Sequence, residues 1–167
     1  MVVIRQVTLV DLAACHAVEV ACFPPAEAAS LENIRRRIEL FPEGFLVAEQ
    51  AGELIGIVNS GATNADDISD EAFKQLIGHD SAGANIVIFS LAVLPVYQRQ
   101  GIAAQLMQAF VAQSRLLGKR KILLICKPPL IAYYARFGFV DAGLSRSTHG
   151  GSRWHEMVLE LNADENL

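Results

Sequence analysis

The sequence has few cysteines, no long apolar run and no excess of basic residues. Its three cysteines, Cys15, Cys22 and Cys126, are odd in number and widely spaced, which fits neither a disulfide framework nor a zinc site. The longest apolar stretches, residues 86–96 and 122–126, are far too short to span a bilayer. The N-terminus lacks the basic segment and cleavable apolar run of a signal peptide. We therefore expect reduced thiols, no metal site, no membrane association and a cytoplasmic protein.

The charge balance is mildly acidic, with a formal net charge of -4 and a pI near 5.5. Nucleic-acid binding needs a basic surface that displaces counterions from phosphates, so we expect no nucleic-acid partner. An acidic surface suits a cationic substrate, or it reflects solubility alone. With 52% hydrophobic residues, the 167-residue chain is long enough for one well-packed domain over residues 1–167. Whether that domain is a monomer or a homodimer stays open.

Hydrophobic periodicity predicts the element order β-α-α-β-β-β-α-β-α-β-β. The predicted strands are residues 1–7, 45–49, 54–60, 85–94, 121–126, 139–147 and 154–161. The predicted helices are residues 11–21, a helix capped by Ser30, residues 102–117 and residues 130–137. The polar segment 61–83 reads as a long loop with a short helix near residues 70–77. Helices alternating with strands imply an α/β sandwich around a mixed sheet.

The most informative segment is the buried strand and turn that lead into the third helix. The turn has the sequence Gln98-Arg99-Gln100-Gly101-Ile102-Ala103. A helix start presents unpaired N–H groups and the positive end of the helix dipole, so it attracts phosphate. Gly101 lets the backbone approach a bulky diphosphate. The context of strand, glycine turn and amphipathic helix therefore predicts a diphosphate site.

This turn resembles the acyl-CoA pyrophosphate loop of the GNAT superfamily of N-acetyltransferases, written Q/R-x-x-G-x-G/A. A second resemblance lies downstream, where Tyr134 and Gly138-Phe139 match the family pattern Y-x-x-x-G-F. The resemblance implies a GNAT acyl-CoA N-acyltransferase fold, with about seven strands in a mixed sheet and about four helices, and acetyl-CoA as cofactor. It also implies these cofactor-binding residues: Leu91, Ala92, Val93, Gln98, Arg99, Gln100, Gly101, Ile102, Ala103, Ala104 and Tyr134.

The same resemblance implies roles in catalysis, which is direct attack of a neutral amine on the thioester. The Val93 N–H is expected to hold the acetyl carbonyl, and Tyr134 is expected to protonate the leaving thiolate. Over nearly the whole chain, the sequence is most similar to arylalkylamine N-acetyltransferases and their bacterial relatives. The animal enzymes carry two histidines that relay protons from the amine, whereas this chain has Val87 and Phe89 there. A water chain could replace the relay, and the side chains considered as base are His79, His149, His155, Glu19, Glu49 and Ser60.

The acceptor is expected to be a small primary amine, an arylalkylamine or another cationic amine. Asp66, Asp67 and Asp70 in the polar segment favour a cationic acceptor. The alternatives are a protein acetyltransferase acting on an N-terminus or a lysine, or a non-catalytic acyl-CoA sensor. The expected acceptor-lining residues are Phe23, Ser60, Phe89 and Leu91. Cys126 is expected to be buried or pocket-lining. The three consecutive arginines at positions 35–37 are expected mostly to face solvent, although one of them could reach a phosphate.

Overall fold

The computed structural model describes residues 1–161, which form one seven-stranded sheet in the order β1-β2-β3-β4-β5-β7-β6. Only β4 and β5 are parallel neighbours, and all other neighbouring strands are antiparallel. The sheet is therefore mixed, as the sequence predicts. The strands are β1 Val2–Gln6, β2 Leu46–Gln50, β3 Glu53–Thr63, β4 Asn85–Val93, β5 Lys121–Cys126, β6 Val140–Leu144 and β7 His155–Glu160.

Four α-helices cover the sheet: α1 Leu12–Cys22, α2 Leu31–Leu40, α3 Ile102–Leu116 and α4 Ile131–Ala135. Helices α1 and α2 pack on one face through Cys15, Val18, Ile34 and Ile38. Helix α3 packs on the other face, where its fully buried residues include Leu106, Met107 and Phe110. The order of elements is the predicted one, and the expected mixed sheet of seven strands with four helices is confirmed.

Local chemistry explains several of the boundaries. The Ser30 side chain accepts a hydrogen bond from the Asn33 N–H at 3.1 Å and caps α2 as expected. Helix α1 begins one residue later than predicted because Leu9–Asp11 form a 3-10 turn first. The short helix predicted near residues 70–77 is a 3-10 helix, Glu71–Gln75, capped by Asp70. Strand β3 extends three residues beyond its predicted end because it stays paired with β4 up to Thr63.

Strands β4 and β5 separate partway along their length. Their pairing covers Asn85 to Val87 on β4, and none is found beyond Val87 in residues 1–161. The N–H of Leu94 donates to Ile55 on the β3 side at 2.8 Å, so strand alternation turns the N–H of Val93 toward the open side. A V-shaped cleft therefore opens next to β4, with unpaired backbone groups on its wall.

Candidate active site

Two adjoining cavities occupy the cleft between β4 and β5. The narrow cavity, about 190 Å³, extends along Ile88 to Leu91, and the wide cavity, about 690 Å³, extends from Leu91 toward the start of α3. Both cavities are lined by Phe23, Leu91, Leu130 and Tyr134. The cleft thus offers two chambers that meet at a tyrosine.

The wide cavity collects most of the predicted cofactor-binding residues. Its lining includes Leu91, Ala92, Val93, Gln98, Arg99, Gly101, Ile102, Ala103, Ala104 and Tyr134. Gln100 is the one predicted cofactor residue that is not part of this lining. The Gln98 side-chain amide donates to the Val93 carbonyl at 2.9 Å, and the Cys22 thiol donates to the same oxygen at 3.2 Å. The turn is therefore tied directly to the end of β4.

The geometry of the turn fits the diphosphate of coenzyme A. Gly101 has a φ of 79°, and no atom lies within 4 Å of the position that a Cβ would take. The first backbone hydrogen bond of α3 is donated by the Gln105 N–H to the Gly101 carbonyl at 3.1 Å. Within the described part of the chain, the N–H groups of Ile102, Ala103 and Ala104 thus have no backbone acceptor. An open glycine next to unpaired donors is the arrangement that an anionic diphosphate requires.

Tyr134 lies where the two cavities meet and is held by aromatic neighbours. Its ring packs edge-on against Tyr133 at 5.2 Å and Phe139 at 6.0 Å between centroids. Burial raises the pKa of the Tyr134 phenol well above its usual value of 10. The hydroxyl is therefore protonated at neutral pH and able to donate a proton.

Charged side chains line the narrow cavity, among them Glu19, Arg37 and Lys74, and of these three only Glu19 was named from the sequence as a candidate base. Both Glu19 and Arg37 are only 2% exposed. The expectation that residue 37 mostly faces solvent is wrong. Each buried charge lies on the apolar stripe of its helix: Glu19 follows Cys15 and Val18 at helical spacing, and Arg37 stands between Ile34 and Ile38. A charged residue at an apolar position of a helix was therefore the sequence signal that could have predicted the burial of Glu19 and Arg37.

Other candidate bases lie away from the cavities or are engaged elsewhere. Ser60 is buried, donates to the Gly44 carbonyl at 2.7 Å and does not line either cavity, so the structure does not bring it to the predicted acceptor site. Glu49 pairs with Arg5 at 3.2 Å. The Nδ1 of His79 accepts a hydrogen bond from the Ala62 N–H, and burial lowers its pKa. His155 contacts Asp141 at 3.1 Å.

The three aspartates that were expected to favour a cationic acceptor also lie outside both linings. Asp66 pairs with Lys121 at 2.8 Å, and Asp67 pairs with Arg146. The Asp70 side chain accepts a hydrogen bond from the Ala72 N–H. These carboxylates are used within the fold, so they do not favour a cationic acceptor.

One wall of the narrow cavity comes from the segment before β7. His149 contacts the Glu71 carboxylate through Nδ1 and the Glu27 carbonyl through Nε2, the latter at 3.0 Å. The Trp154 indole donates to the His149 carbonyl at 2.9 Å. His149 thus lines the cavity while both of its ring nitrogens have partners. This segment and the loop after α1 both contribute to the lining of the narrow cavity.

Cys126 lines the narrow cavity as a thiol. It is 2% exposed, and burial raises its pKa to about 11. At neutral pH the thiolate fraction is therefore negligible, which disfavours a covalent acetyl-cysteine. Within residues 1–161, no three His, Cys, Asp or Glu side chains form a metal-binding group. No helix of that stretch is long and apolar enough to cross a bilayer.

Comparison with known proteins decides the family. The family described as "Acetyltransferase (GNAT) family" matches residues 12–139, which include the glycine turn and Tyr134. This chain belongs to the GNAT family. Family membership indicates N-acyltransferase activity with acetyl-CoA as the cofactor.

Three similar proteins show how far the likeness extends. "Probable hydrolase YhcX" of Bacillus subtilis is 30% identical over 142 residues, covering 80% of this chain and 27% of that protein. The chain thus spans about a quarter of the relative's length. The loading GNATL domain of CurA from Lyngbya majuscula has a TM-score of 0.86 at 17% identity, covering 96% of this chain and 98% of that one. Structures this distant share the fold.

The third is yncA from Salmonella typhimurium, solved with its cofactor acetyl-CoA. It has a TM-score of 0.67 at 18% identity and covers 98% of this chain and 95% of that one. These matches do not support the closer resemblance to arylalkylamine N-acetyltransferases.

Proposed function

We propose that this GNAT protein transfers the acetyl group of acetyl-CoA to a small primary amine. The observation that carries the proposal is the junction of the two cavities at Tyr134. The wide cavity contains the glycine turn suited to the donor, and the narrow one, at about 190 Å³, is sized for a small acceptor. A donor chamber that opens into a small acceptor chamber supports a small-molecule enzyme.

Glu19 is the proposed acceptor of the proton that the ammonium group loses. Its Oε2 accepts a hydrogen bond from the Ala29 N–H at 3.0 Å, whereas Oε1 is buried and has no partner within the described residues. A buried carboxylate oxygen with a free lone pair attracts an ammonium group, and it can take the proton as the amine attacks. Glu19 thereby supplies the proton acceptor that Val87 and Phe89 cannot supply.

Val93 and Tyr134 act on the other two charges that develop during the reaction. The open-side N–H of Val93 is the proposed donor to the carbonyl oxygen, which becomes negative as the tetrahedral intermediate forms. Tyr134 is the proposed proton donor to the leaving thiolate, because its protonated phenol lies where the two cavities meet. These roles require only direct attack on the thioester.

The other two functions are less well supported. A protein acetyltransferase needs an open groove for a peptide, whereas here His149 and Trp154 line the narrow cavity and His149 contacts the Glu27 carbonyl in the loop after α1. A non-catalytic acyl-CoA sensor needs neither a buried carboxylate nor a protonated phenol where donor and acceptor meet. The aromatic rings of Phe23, Phe89 and Trp154 in the lining suit an acceptor with an apolar or aromatic part.

The test is thiol release from acetyl-CoA across a panel of tryptamine, phenethylamine, polyamines, amino acids and short peptides. We expect release with small amines and none above background with peptides. Release with peptides alone would favour the protein acetyltransferase. Tight acetyl-CoA binding without release on any acceptor would refute the proposed enzyme and favour the sensor.

A further inference from the structure

Two cations without an anionic partner among residues 1–161 line the narrow cavity, and of these Arg37 is buried and Lys74 is half-buried. The Arg37 guanidinium donates to the Lys74 carbonyl and to Asn59 Oδ1 at 3.1 Å, and it lies 4.5 Å from the centroid of the Phe89 ring. In the part of the chain that the structure describes, no carboxylate forms an ion pair with it. Burial lowers the pKa of Arg37 to about 10, which shows the cost of this charge. A bound anion would relieve that cost.

Lys74 adds a second positive charge on the same wall. Its Nζ lies 5.8 Å from the centroid of the Phe89 ring and makes no hydrogen bond or ion pair with any residue in 1–161. Burial also lowers the pKa of Lys74, and the nearby Arg37 charge contributes to that shift. The Glu71 carboxylate, whose negative charge raises the pKa of Lys74, is in contact with His149. The ammonium group is therefore free to bind a ligand.

The negative charge in the cavity is on a different element. Glu19 belongs to α1, and its charge acts on both Arg37 and Lys74 without forming an ion pair with either. Glu27, a further carboxylate of the lining, is neutralised by Lys127 at 2.7 Å. The cavity thus has one unpaired carboxylate oxygen and two cations without counter-ions. This pattern is complementary to a ligand that carries both an ammonium and a carboxylate.

We propose that the acceptor is an amine that also carries a carboxylate, as an amino acid does, with the carboxylate bound by Lys74 and Arg37 and the amine directed to Glu19. This inference rests on the proposed function and names its substrate class. Arg37 supplies planar donors and Lys74 a compact charge, a combination well suited to a carboxylate.

The position of the cations assigns the carboxylate to the acceptor rather than to the acyl group. Arg37 and Lys74 flank Phe89, which lines the narrow cavity alone, whereas the glycine turn lines the wide cavity alone. The two groups lie on opposite sides of the shared residues Leu91 and Tyr134. A carboxylate on the acyl group is the competing source, and the second experiment below separates the two.

The first experiment measures binding without catalysis. Trp154 is the only tryptophan and lines the narrow cavity, so intrinsic fluorescence reports on ligands there. The probes are N-acetylalanine and N-acetylphenylalanine, each compared with its amide. A charge-assisted contact predicts that the acids bind about tenfold more tightly than the amides. Equal or weaker binding of the acids, or no response to any probe, would overturn the inference.

The variant for this experiment is Lys74→Met, because Arg37 also holds the backbone of the 3-10 helix. Its matched control is Lys121→Met, which removes a lysine that pairs with Asp66 outside both cavities. We expect Lys74→Met to reduce the preference for acids to less than about threefold and Lys121→Met to preserve it. If both variants behave alike, the effect is one of net charge, and the assignment to Lys74 is wrong.

The second experiment measures thiol release with paired acceptors and paired donors. The acceptor pairs are phenylalanine with phenethylamine and 4-aminobutyrate with butylamine, and the donors are acetyl-CoA and malonyl-CoA. We expect higher kcat/KM for the carboxylate member of at least one acceptor pair, with the advantage lost in Lys74→Met. Turnover of simple amines without such an advantage would overturn this inference and leave the proposed function intact. A Lys74-dependent preference for malonyl-CoA would place the carboxylate on the acyl group and also overturn it.

Discussion

Replacing Gly101 by glutamate tests the placement of the donor site. The substitution has two effects. A side chain at residue 101 strains the backbone, because φ is 79° there. The new carboxylate also projects into the open space at the glycine turn, where the diphosphate is proposed to bind. The backbone strain costs about 1–2 kcal/mol of folding free energy. Repulsion in water between two unit charges about 6 Å apart costs about 0.7 kcal/mol, and a diphosphate brings two such charges.

Loss of close approach by the backbone donors adds about 1.5 kcal/mol, the value of a hydrogen bond to a charged group. Together these costs predict that the Kd for acetyl-CoA rises about 100-fold. The assay is calorimetric titration of the folded variant with acetyl-CoA, alongside thermal unfolding.

The matched control is Gly52→Glu in the turn between β2 and β3. Gly52 has a φ of 82°, and no atom lies within 4 Å of its Cβ position, so the strain and added charge are equivalent. We expect both variants to lose similar stability and only Gly101→Glu to lose affinity. Affinity that falls equally in the two variants, or in neither, refutes the placement of the diphosphate at this turn.

Three further predictions concern catalysis and stability. Tyr134→Phe should lower kcat about 100-fold and leave the acetyl-CoA Kd within about threefold, as titration and thiol release would show; equal loss of both would make Tyr134 structural. Glu19→Gln should lower kcat about 100-fold at neutral pH, and the deficit should narrow at alkaline pH as the free amine accumulates; a constant deficit would exclude Glu19 as base. Arg5 lowers the pKa of Asp11 by a two-pronged contact at 2.9 and 3.0 Å, so Asp11→Asn should cost about 1 kcal/mol above pH 4. The stabilisation is fully present above the pKa of Asp11 in the unfolded chain, and it is lost as the pH falls through the lower pKa of Asp11 in the folded protein. The free energies of unfolding in urea of the parent protein and of Asp11→Asn should therefore become equal in acid. A difference in unfolding free energy that persists in acid contradicts the assignment.

The element order and the glycine turn were predictable because their signals are local. Helical spacing identified α3, an unbroken apolar run identified β4, and Gly101 marks the turn between them. Each pattern follows from the period of one element or the conformation of one residue. The strand order of the sheet could not be obtained in this way, because the insertion of β7 between β5 and β6 depends on pairing between strands that are distant in the sequence.

The charged lining of the narrow cavity was harder to predict. Arg37 is one of three consecutive arginines, and its burial depends on the 3-10 helix that supplies the Lys74 carbonyl. Lys74 lies in a polar segment where a lysine is ordinarily solvated. Ser60 was expected to line the acceptor site, but its position on β3 directs its hydroxyl to Gly44. Such placements depend on tertiary packing, which periodicity does not encode.

The way the two cavities are distributed along the chain sets the order in which they can form during synthesis. Every residue that lines the wide cavity falls between Cys22 and Arg136, whereas the narrow cavity also needs His149 and Trp154. Strand β6 pairs with β7 alone, so that end of the sheet forms only after residues 155–160 have emerged. A nascent chain can therefore assemble the wide cavity before the lining of the narrow cavity is complete. Substitutions in the late segment around His149 can likewise change the narrow cavity while leaving the lining of the wide cavity as it is.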